Sequence, residues 1–145
     1  MNIYEALRED HDKQRTLLDL LTKTSGDSEG RRELFEKTKD ALQRHAAAEE
    51  RFFYVPLFKD DLTQDKSRHS VAEHHELDEL IEKLEQTDRT SPTWLVTAKA
   101  LADRVIHHLD EEEQEVFQIS GKVLTDAQKL DLAKQYRSEM DSTAS

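Results

Sequence analysis

The chain has 145 residues, of which 35% are hydrophobic and 37% are charged, and its formal net charge is −11. This size fits one domain with one core, and the negative charge disfavours nucleic acid and anionic membrane surfaces as partners. The chain contains no cysteine, which excludes disulfides, thiolate metal sites, iron–sulfur clusters and cysteine catalysis. No apolar run approaches the length of a membrane span, and the N-terminal residues do not resemble a signal peptide. These features predict a cytoplasmic protein.

The first half of the chain predicts two helices. A first apolar series, spaced mostly by three, four or seven residues, predicts a helix from about residue 3 to about residue 23. It consists of Ile3, Leu7, His11, Leu18 and Leu21. Residues 24–30 then supply breakers and an N-cap, either Asp27 or Ser28. A second series predicts a helix that ends or kinks at its proline. It consists of Leu34, Thr38, Ala41, Leu42, His45, Glu49, Phe52 and Pro56.

The second half predicts two further long helices and a short one. The third series consists of Val71, His74, Leu77, Ile81 and Leu84. The fourth begins after Pro92, stops at Gly121, and consists of Trp94, Ala98, Leu101, Val105, His108, Glu112, Val116 and Ile119. A fifth helix is predicted to begin at Thr125 or Asp126, to bury Leu130, Ala133 and Tyr136, and to end in a frayed tail over residues 138–145.

Four long amphipathic helices with short connections predict an all-α fold, an antiparallel up-down four-helix bundle. The bundle is expected to span residues 1–121. Residues 122–145 are expected to form the short extra C-terminal helix and the tail, belonging to the same domain.

Each of the four long stripes contains a histidine at a position that should be apolar: His11, His45, His74 and His108. Two of the stripes add a carboxylate four residues later, Glu49 and Glu112, and residues four apart lie on one helix face. Burying two unpaired carboxylates costs several kcal/mol each, so such a core needs compensating cations. Imidazole and carboxylate ligands without sulfur suit iron, manganese or zinc.

The alternative to a metal site is a metal-free structural or interaction module. A single histidine on a helix face is more often a surface residue or a satisfied core residue than a ligand. The alternative requires six polar residues to fall on core stripes by chance, so a metal site is the stronger interpretation.

The motifs carry a family resemblance. His11-Asp12, HAAAEERFFYVP from His45, EHHELDEL from Glu73 and HLDEEEQEVF from His108 together resemble the hemerythrin HHE cation-binding family over roughly residues 1–120. The resemblance implies a four-helix bundle around two iron ions bridged by carboxylates and an oxo or hydroxo group. Carried over residue by residue, it implies the ligands His11, His45, Glu49, His74, His108 and Glu112.

The chain departs from the animal oxygen carriers of that family. These have a second histidine one turn from the third-helix ligand, whereas here the neighbours of His74 are Ser70 and Asp78. One iron would therefore have an open or differently filled position, which argues against reversible oxygen carriage. Tyr54, at the end of the second helix, is a possible additional ligand, although an ordinary packed tyrosine is the commoner outcome.

Two histidine doublets leave a choice of register. His74 and His108 continue their stripes, whereas His75 and His107 lie about 100° round the helix. We choose His74 and His108 as ligands and expect His75 and Asp78 in outer positions beside the ligands, with His75 as the alternative ligand on this helix. Glu50 and Glu113, each directly after a motif glutamate, are expected to be outer-shell or surface groups.

The resemblance implies a protein that binds or reacts with hydrogen peroxide, nitric oxide or dioxygen in oxidative or nitrosative stress defence. A di-iron catalase-like or peroxidase-like activity, or nitric oxide handling, is the enzyme activity it suggests. The alternative is reversible dioxygen binding, iron storage or sensing without turnover. Partners are expected to be these small molecules, with no nucleic acid and no membrane, and the sequence does not determine the oligomeric state.

Overall fold

A computed structural model describes residues 1–144, and within that range every regular element is helical. In chain order the elements are α1 (Ile3–Leu21), α2 (Glu29–Glu49), π1 (Glu50–Tyr54), α3 (Val55–Phe58), α4 (Gln64–Gln86), α5 (Pro92–Glu111), π2 (Glu112–Val116), α6 (Phe117–Ser120) and α7 (Asp126–Thr143). The four long helices α1, α2, α4 and α5 pack as a ring in which each contacts the next, and α7 packs outside against α1 and α2. The predicted four-helix bundle is confirmed.

Side-chain caps set the helix starts that the sequence predicts. Asn2 and Glu5 form a reciprocal capping box at α1, and Ser28 caps α2 by accepting a hydrogen bond from the Arg31 amide. Pro92 occupies the first turn of α5. Thr125 caps α7, which therefore begins at Asp126.

Two π-helical turns interrupt the predicted periodicity. In π1 the Val55 amide donates to the Glu50 carbonyl, and in π2 the Phe117 amide donates to the Glu112 carbonyl, five residues back in each case. Each π turn begins at or directly after a motif glutamate. A π turn accommodates one more residue than an α-helical turn, so the buried positions beyond it move one residue along the chain.

The buried residues after each π turn record this shift. Phe53 and Leu57 are fully buried where the sequence predicts Phe52 and Pro56, which are only half-buried. After π2 the sequence predicts that Ile119 is buried, but this residue is only half-buried. Phe117 and Ser120 are buried instead.

The interior consists of two apolar clusters with a polar layer between them. One cluster lies around π1, π2 and α7, and includes Ile3, Leu7, Phe53, Leu57, Phe117 and Tyr136. The other fills the opposite half of the bundle, and includes Leu18, Phe35, Leu42, Ile81, Trp94, Leu101 and Val105. The motif histidines and glutamates occupy the layer between, where the clusters keep bulk water away.

The C-terminal segment differs from the sequence-based expectation. Residues 138–143 are not frayed but complete α7, because Met140 is buried and its carbonyl accepts a 2.8 Å hydrogen bond from the Arg44 guanidinium. Leu132 is buried where Leu130 was predicted, and Leu130 is half exposed. The last residue of the predicted tail, Ser145, lies outside the described residues.

Among residues 1–144, no helix combines the length and the apolar character that are needed to cross a lipid bilayer.

Candidate metal centre

The six residues that the sequence singles out as ligands come together in the polar layer. They are His11, His45, Glu49, His74, His108 and Glu112, and each is at most 6% exposed. α1 contributes one imidazole and α4 another, α2 contributes an imidazole and a carboxylate, and α5 contributes an imidazole whose carboxylate, four residues later, begins π2. The i, i+4 spacing places each histidine and its glutamate on the same inward face.

The Glu49 carboxylate lies at the middle of the cluster. Its Oε2 is 3.2 Å from Nε2 of His45 and 3.7 Å from Nε2 of His11, and its Oε1 is 3.2 Å from Nε2 of His74. The two oxygens thus face different imidazoles. Within the cluster, two groups of side chains have donor atoms close enough to hold a metal ion, and Glu49 belongs to both. One group is His11, His45, Glu49 and Glu112, and the other is Glu49, His74 and His108.

The Glu112 carboxylate faces three groups. Its Oε1 is 3.1 Å from Nε2 of His11, and its Oε2 is 3.7 Å from Nε2 of His108. Oε2 also accepts a short hydrogen bond from the hydroxyl of Tyr54, which is fully buried. The same hydroxyl lies 2.9 Å from Oγ of Ser70, the residue one turn before His74. The phenol therefore lies beside one of the two one-turn neighbours of His74, Ser70, and not beside the other, Asp78, which is exposed.

Each of the four imidazoles points Nε2 toward the cluster and is held at Nδ1 by a different partner. Nδ1 is 2.7 Å from Glu113 in His11, 2.6 Å from the Tyr136 hydroxyl in His45, 3.1 Å from Glu50 in His74 and 2.8 Å from Glu73 in His108. A carboxylate accepts a hydrogen bond from an N–H group. The contacts of His11, His74 and His108 therefore favour the tautomer with hydrogen on Nδ1 and a lone pair on Nε2. That is the form in which imidazole binds a metal ion.

The inner atoms of the cluster lack hydrogen-bond partners among the described residues. They are Nε2 of His11, His45 and His108, both carboxylate oxygens of Glu49, and Oε1 of Glu112. The nitrogen–oxygen approaches given above do not have hydrogen-bond geometry at these atoms. Because a buried polar group without a partner costs about 1–3 kcal/mol, and more when charged, so many in one place fit a bound cation. The nitrogen and oxygen donors also suit iron, manganese or zinc.

Burial and neighbouring charges shift the pKa values of several side chains in this layer. Burial and the Glu49 carboxylate raise the pKa of Glu112. Burial would lower the pKa of His74, but Glu49 and Glu50 outweigh it and raise that pKa to about 10. Burial, together with the Glu112 and Glu49 carboxylates, raises the pKa of Tyr54 well above its ordinary value. The two adjacent buried carboxylates thus favour the protonated forms of His74 and Tyr54, and Glu49 favours protonation of Glu112.

Of the residues predicted around the ligands, Glu50 and Glu113 contact them and two others do not. His75 and Asp78 are exposed, and neither hydrogen-bonds a predicted ligand. His75 faces outward because it lies about 100° round α4 from His74. His107 is likewise exposed and pairs with Glu111, which supports the choice of His108.

Three residues that hold the imidazoles, directly or through a partner, were not predicted from the sequence. Glu73 and Tyr136 hold His108 and His45, and Asp10 accepts a hydrogen bond from the Tyr136 hydroxyl. One signal was available for Glu73, since it lies four residues after His69 and directly before His74. Nothing in the sequence connects α7 to His45. His69 also lies in α4 and forms an outer group with Glu73 and Glu111.

A narrow cavity adjoins the cluster on the side of the second apolar cluster. It is lined by Gln14, Leu42, His45, Ala46, His74, Leu77, Asp78, Ile81, Val105, His108 and Leu109. Traced by the centre of a water-sized sphere, its volume is about 20 Å³. About 10–15 Å³ on this measure holds one water molecule, so the cavity accepts a molecule about the size of one or two waters and no larger substrate.

Comparison with known proteins agrees with this geometry. A solved hemerythrin HHE cation binding domain-containing protein from Mycobacterium kansasii superposes with a TM-score of 0.88 at 24% identity, over 98% of this chain and 86% of that one. This likeness shows the fold. A protein named DNA nickase from a Nostoc species is 29% identical over 117 residues, which are 81% of this chain. The chain spans about a third of the length of that relative.

The family comparison covers the bundle itself. The hemerythrin HHE cation binding domain matches residues 2–119, which include all six predicted ligands. The same residues contain the buried histidine and glutamate cluster, whose donor atoms are close enough together to hold a metal ion. The chain belongs to the hemerythrin HHE cation-binding family.

Proposed function

We propose that the chain holds two iron ions in this layer and acts on small oxygen and nitrogen species: hydrogen peroxide, nitric oxide or dioxygen. The observation that carries the proposal is the set of buried Nε2 and carboxylate atoms without hydrogen-bond partners among the described residues. These atoms belong to His11, His45, Glu49, His108 and Glu112, and His74 completes the set.

Two ions are favoured over one because the donor atoms divide into two groups with Glu49 in common. A carboxylate whose oxygens face different imidazoles is suited to bridge two cations, as in other bundle sites of this type. Glu112 has the same arrangement, with one oxygen toward His11 and the other toward His108. An oxo or hydroxo group would complete the bridge.

Tyr54 is the candidate for an additional ligand. Its hydroxyl lies against Glu112 and Ser70, and its ring lies 6.4 Å from that of His74. Ser70 is one of the two one-turn neighbours of His74 where the sequence lacks a second histidine. As a phenolate it would favour ferric iron, which supports a reactive centre over an oxygen carrier.

The size of the cavity favours small ligands. About 20 Å³ beside three of the four imidazoles fits a diatomic molecule or peroxide. Held by these residues, an iron pair would supply the two-electron chemistry by which one hydrogen peroxide molecule is reduced to water and a second is oxidised to dioxygen. The residues of the chain orient the imidazoles and exclude bulk water. We place this activity in defence against oxidative or nitrosative stress.

Elemental analysis and peroxide assays test the proposal. Iron-loaded protein is expected to contain two iron ions per chain and to evolve oxygen from peroxide over many turnovers. An optical spectrum should show near-ultraviolet absorption of a bridged ferric pair and, if Tyr54 is a ligand, a visible phenolate band. One metal ion per chain at saturation would contradict the two-iron centre.

The second candidate function is binding without turnover, which means reversible dioxygen binding, iron storage or sensing. The apolar lining of the cavity favours it, because Leu42, Leu77 and Ile81 supply no proton for peroxide chemistry. It predicts two iron ions per chain and no sustained oxygen evolution. The DNA nickase relative does not suggest a nucleic-acid substrate, because a net charge of −11 repels a phosphate backbone.

A further inference from the structure

Gln14 is a buried amide beside the cluster that the predicted ligand set does not use. It lies on α1 one turn after His11, and its side chain is 2% exposed. Its amide nitrogen has no hydrogen-bond partner among the described residues. Gln14 also lines the cavity that reaches His45, His74 and His108.

The surroundings of this amide give no structural reason for it. Apart from the three imidazoles, whose Nδ1 atoms have other partners, the cavity lining is apolar except for Gln14 and the exposed Asp78. An outer groove lined by Asp10, Lys13 and Arg44 also touches Gln14, but the amide nitrogen is buried and does not reach solvent there. A buried donor of this kind lowers stability, and leucine or methionine would fill the same position without that cost.

We propose that the cavity is a binding site for a small hydrogen-bond acceptor and that Gln14 donates a hydrogen bond to it. The chemical class is a molecule or anion of two or three heavy atoms, such as peroxide, nitric oxide or azide. The inference rests on the proposed function, since the ligand is taken to bind at the metal centre. In this arrangement Gln14 is a positioning residue, which orients the far end of the ligand from α1.

Azide is a suitable probe because it is an acceptor of the right size with optical and infrared signatures. Iron-loaded wild type is titrated with azide and compared with Gln14→Met, which keeps the length of the side chain and removes the donor. A net hydrogen bond corresponds to about threefold to tenfold in affinity, so the azide dissociation constant should rise by that factor. The infrared stretch of bound azide should also shift, which a merely structural role for Gln14 would not cause.

The matched control is Gln43→Met, the same chemical change on the exposed face of α2, which should leave azide affinity and the infrared stretch unchanged. Melting of the metal-free proteins supplies a readout that needs no iron. Gln14→Met should melt at or above the wild-type temperature, because the variant removes an unpartnered buried amide. Should Gln14→Met not fold, Gln14→Asn serves instead, since its shorter amide withdraws from the ligand.

Failure of the inference and failure of the proposed function give different results. Wild-type azide affinity and an unshifted infrared stretch in Gln14→Met, with iron content intact, would overturn the role of Gln14 alone. A lower melting temperature of the metal-free variant would likewise overturn it, by showing that the amide stabilises the fold. A wild type that binds iron but no azide would overturn the cavity as a ligand site, and a wild type without iron would overturn the proposed function too.

Discussion

The hydroxyl of Tyr136 lies 2.6 Å from Nδ1 of His45, although the two residues are 91 positions apart in the chain. The hydroxyl donates its proton to the Asp10 carboxylate and can therefore accept the Nδ1 hydrogen of His45. His45 then presents Nε2 toward Glu49 at 3.2 Å. Helix α7 thus orients a predicted ligand from outside residues 2–119, the part of the chain that the family match covers.

Tyr136→Phe is expected to weaken metal binding while the fold is kept. Loss of the phenol removes the acceptor that orients His45, and outer-shell changes of this kind cost about tenfold to a hundredfold in metal affinity. Competition with a chelator measures the change. Tyr4→Phe is the control, because Tyr4 bonds Ser120 and contacts none of the six ligands. Equal metal affinity in Tyr136→Phe and wild type would show that α7 does not orient the site.

Glu49→Gln is expected to lower the iron content below one ion per chain. The substitution keeps the volume of the side chain but removes the charge and one of the two acceptor oxygens that face different imidazoles. Glu112→Gln should have the same effect. Glu79→Gln, on the exposed face of α4, is the matched control and should keep two ions. Two iron ions in both core variants would refute the assignment of the bridges.

Tyr54→Phe is expected to remove any visible phenolate band and to alter peroxide turnover, because the hydroxyl lies against Glu112 and Ser70. Removing one oxygen from a fully buried ring should leave the packing nearly intact. His75→Ala serves as the comparison and should change turnover much less, since His75 is exposed. An unchanged spectrum and unchanged turnover in Tyr54→Phe would exclude the phenolate.

Removal of the metal is expected to lower the melting temperature of the wild type by several degrees. A ligand present at a hundred times its dissociation constant stabilises the folded state by about 2.7 kcal/mol. Calorimetry before and after chelation measures the loss. Glu49→Gln is the control, because a variant without bound iron should melt at the same temperature with and without chelator. An equal shift in both proteins would assign the effect to the chelator.

The bundle and its polar layer were predictable because each long helix has one buried face with a strong period. His11, His45, His74 and His108 fall in register with apolar neighbours, and the rule of i, i+4 adjacency then places Glu49 and Glu112. The predicted fold is confirmed. The choice between adjacent histidines rested on the same period, and the structure buries His74 and His108 while it exposes their neighbours.

The partners of the imidazoles were not predictable, because they depend on packing between helices that are distant in sequence. Tyr136 reaches His45 only because α7 lies against α1 and α2. The burial of Gln14 was indicated only weakly by the sequence. The first stripe passes from His11 to Leu18 without a member between them, and a helix face requires a buried residue in such a gap.

Because of the π turns after Glu49 and at Glu112, the residues that face the core follow one helical register before the turn and another after it. Up to the glutamate, the α-helical phase aligns histidine and carboxylate four residues apart; beyond it, the phase advanced by one residue turns Tyr54 or Phe117 inward. A single-residue deletion within residues 50–53 would let an ordinary α-helix form across the junction. That deletion would remove the extra residue and the π turn together, so the tyrosine would keep its inward phase. An ordinary α-helix formed without the deletion would instead turn Phe52 inward and the tyrosine away from Glu112. The reach of the phenol toward Glu112 is therefore set by the π turn, not by the identity of Tyr54 alone.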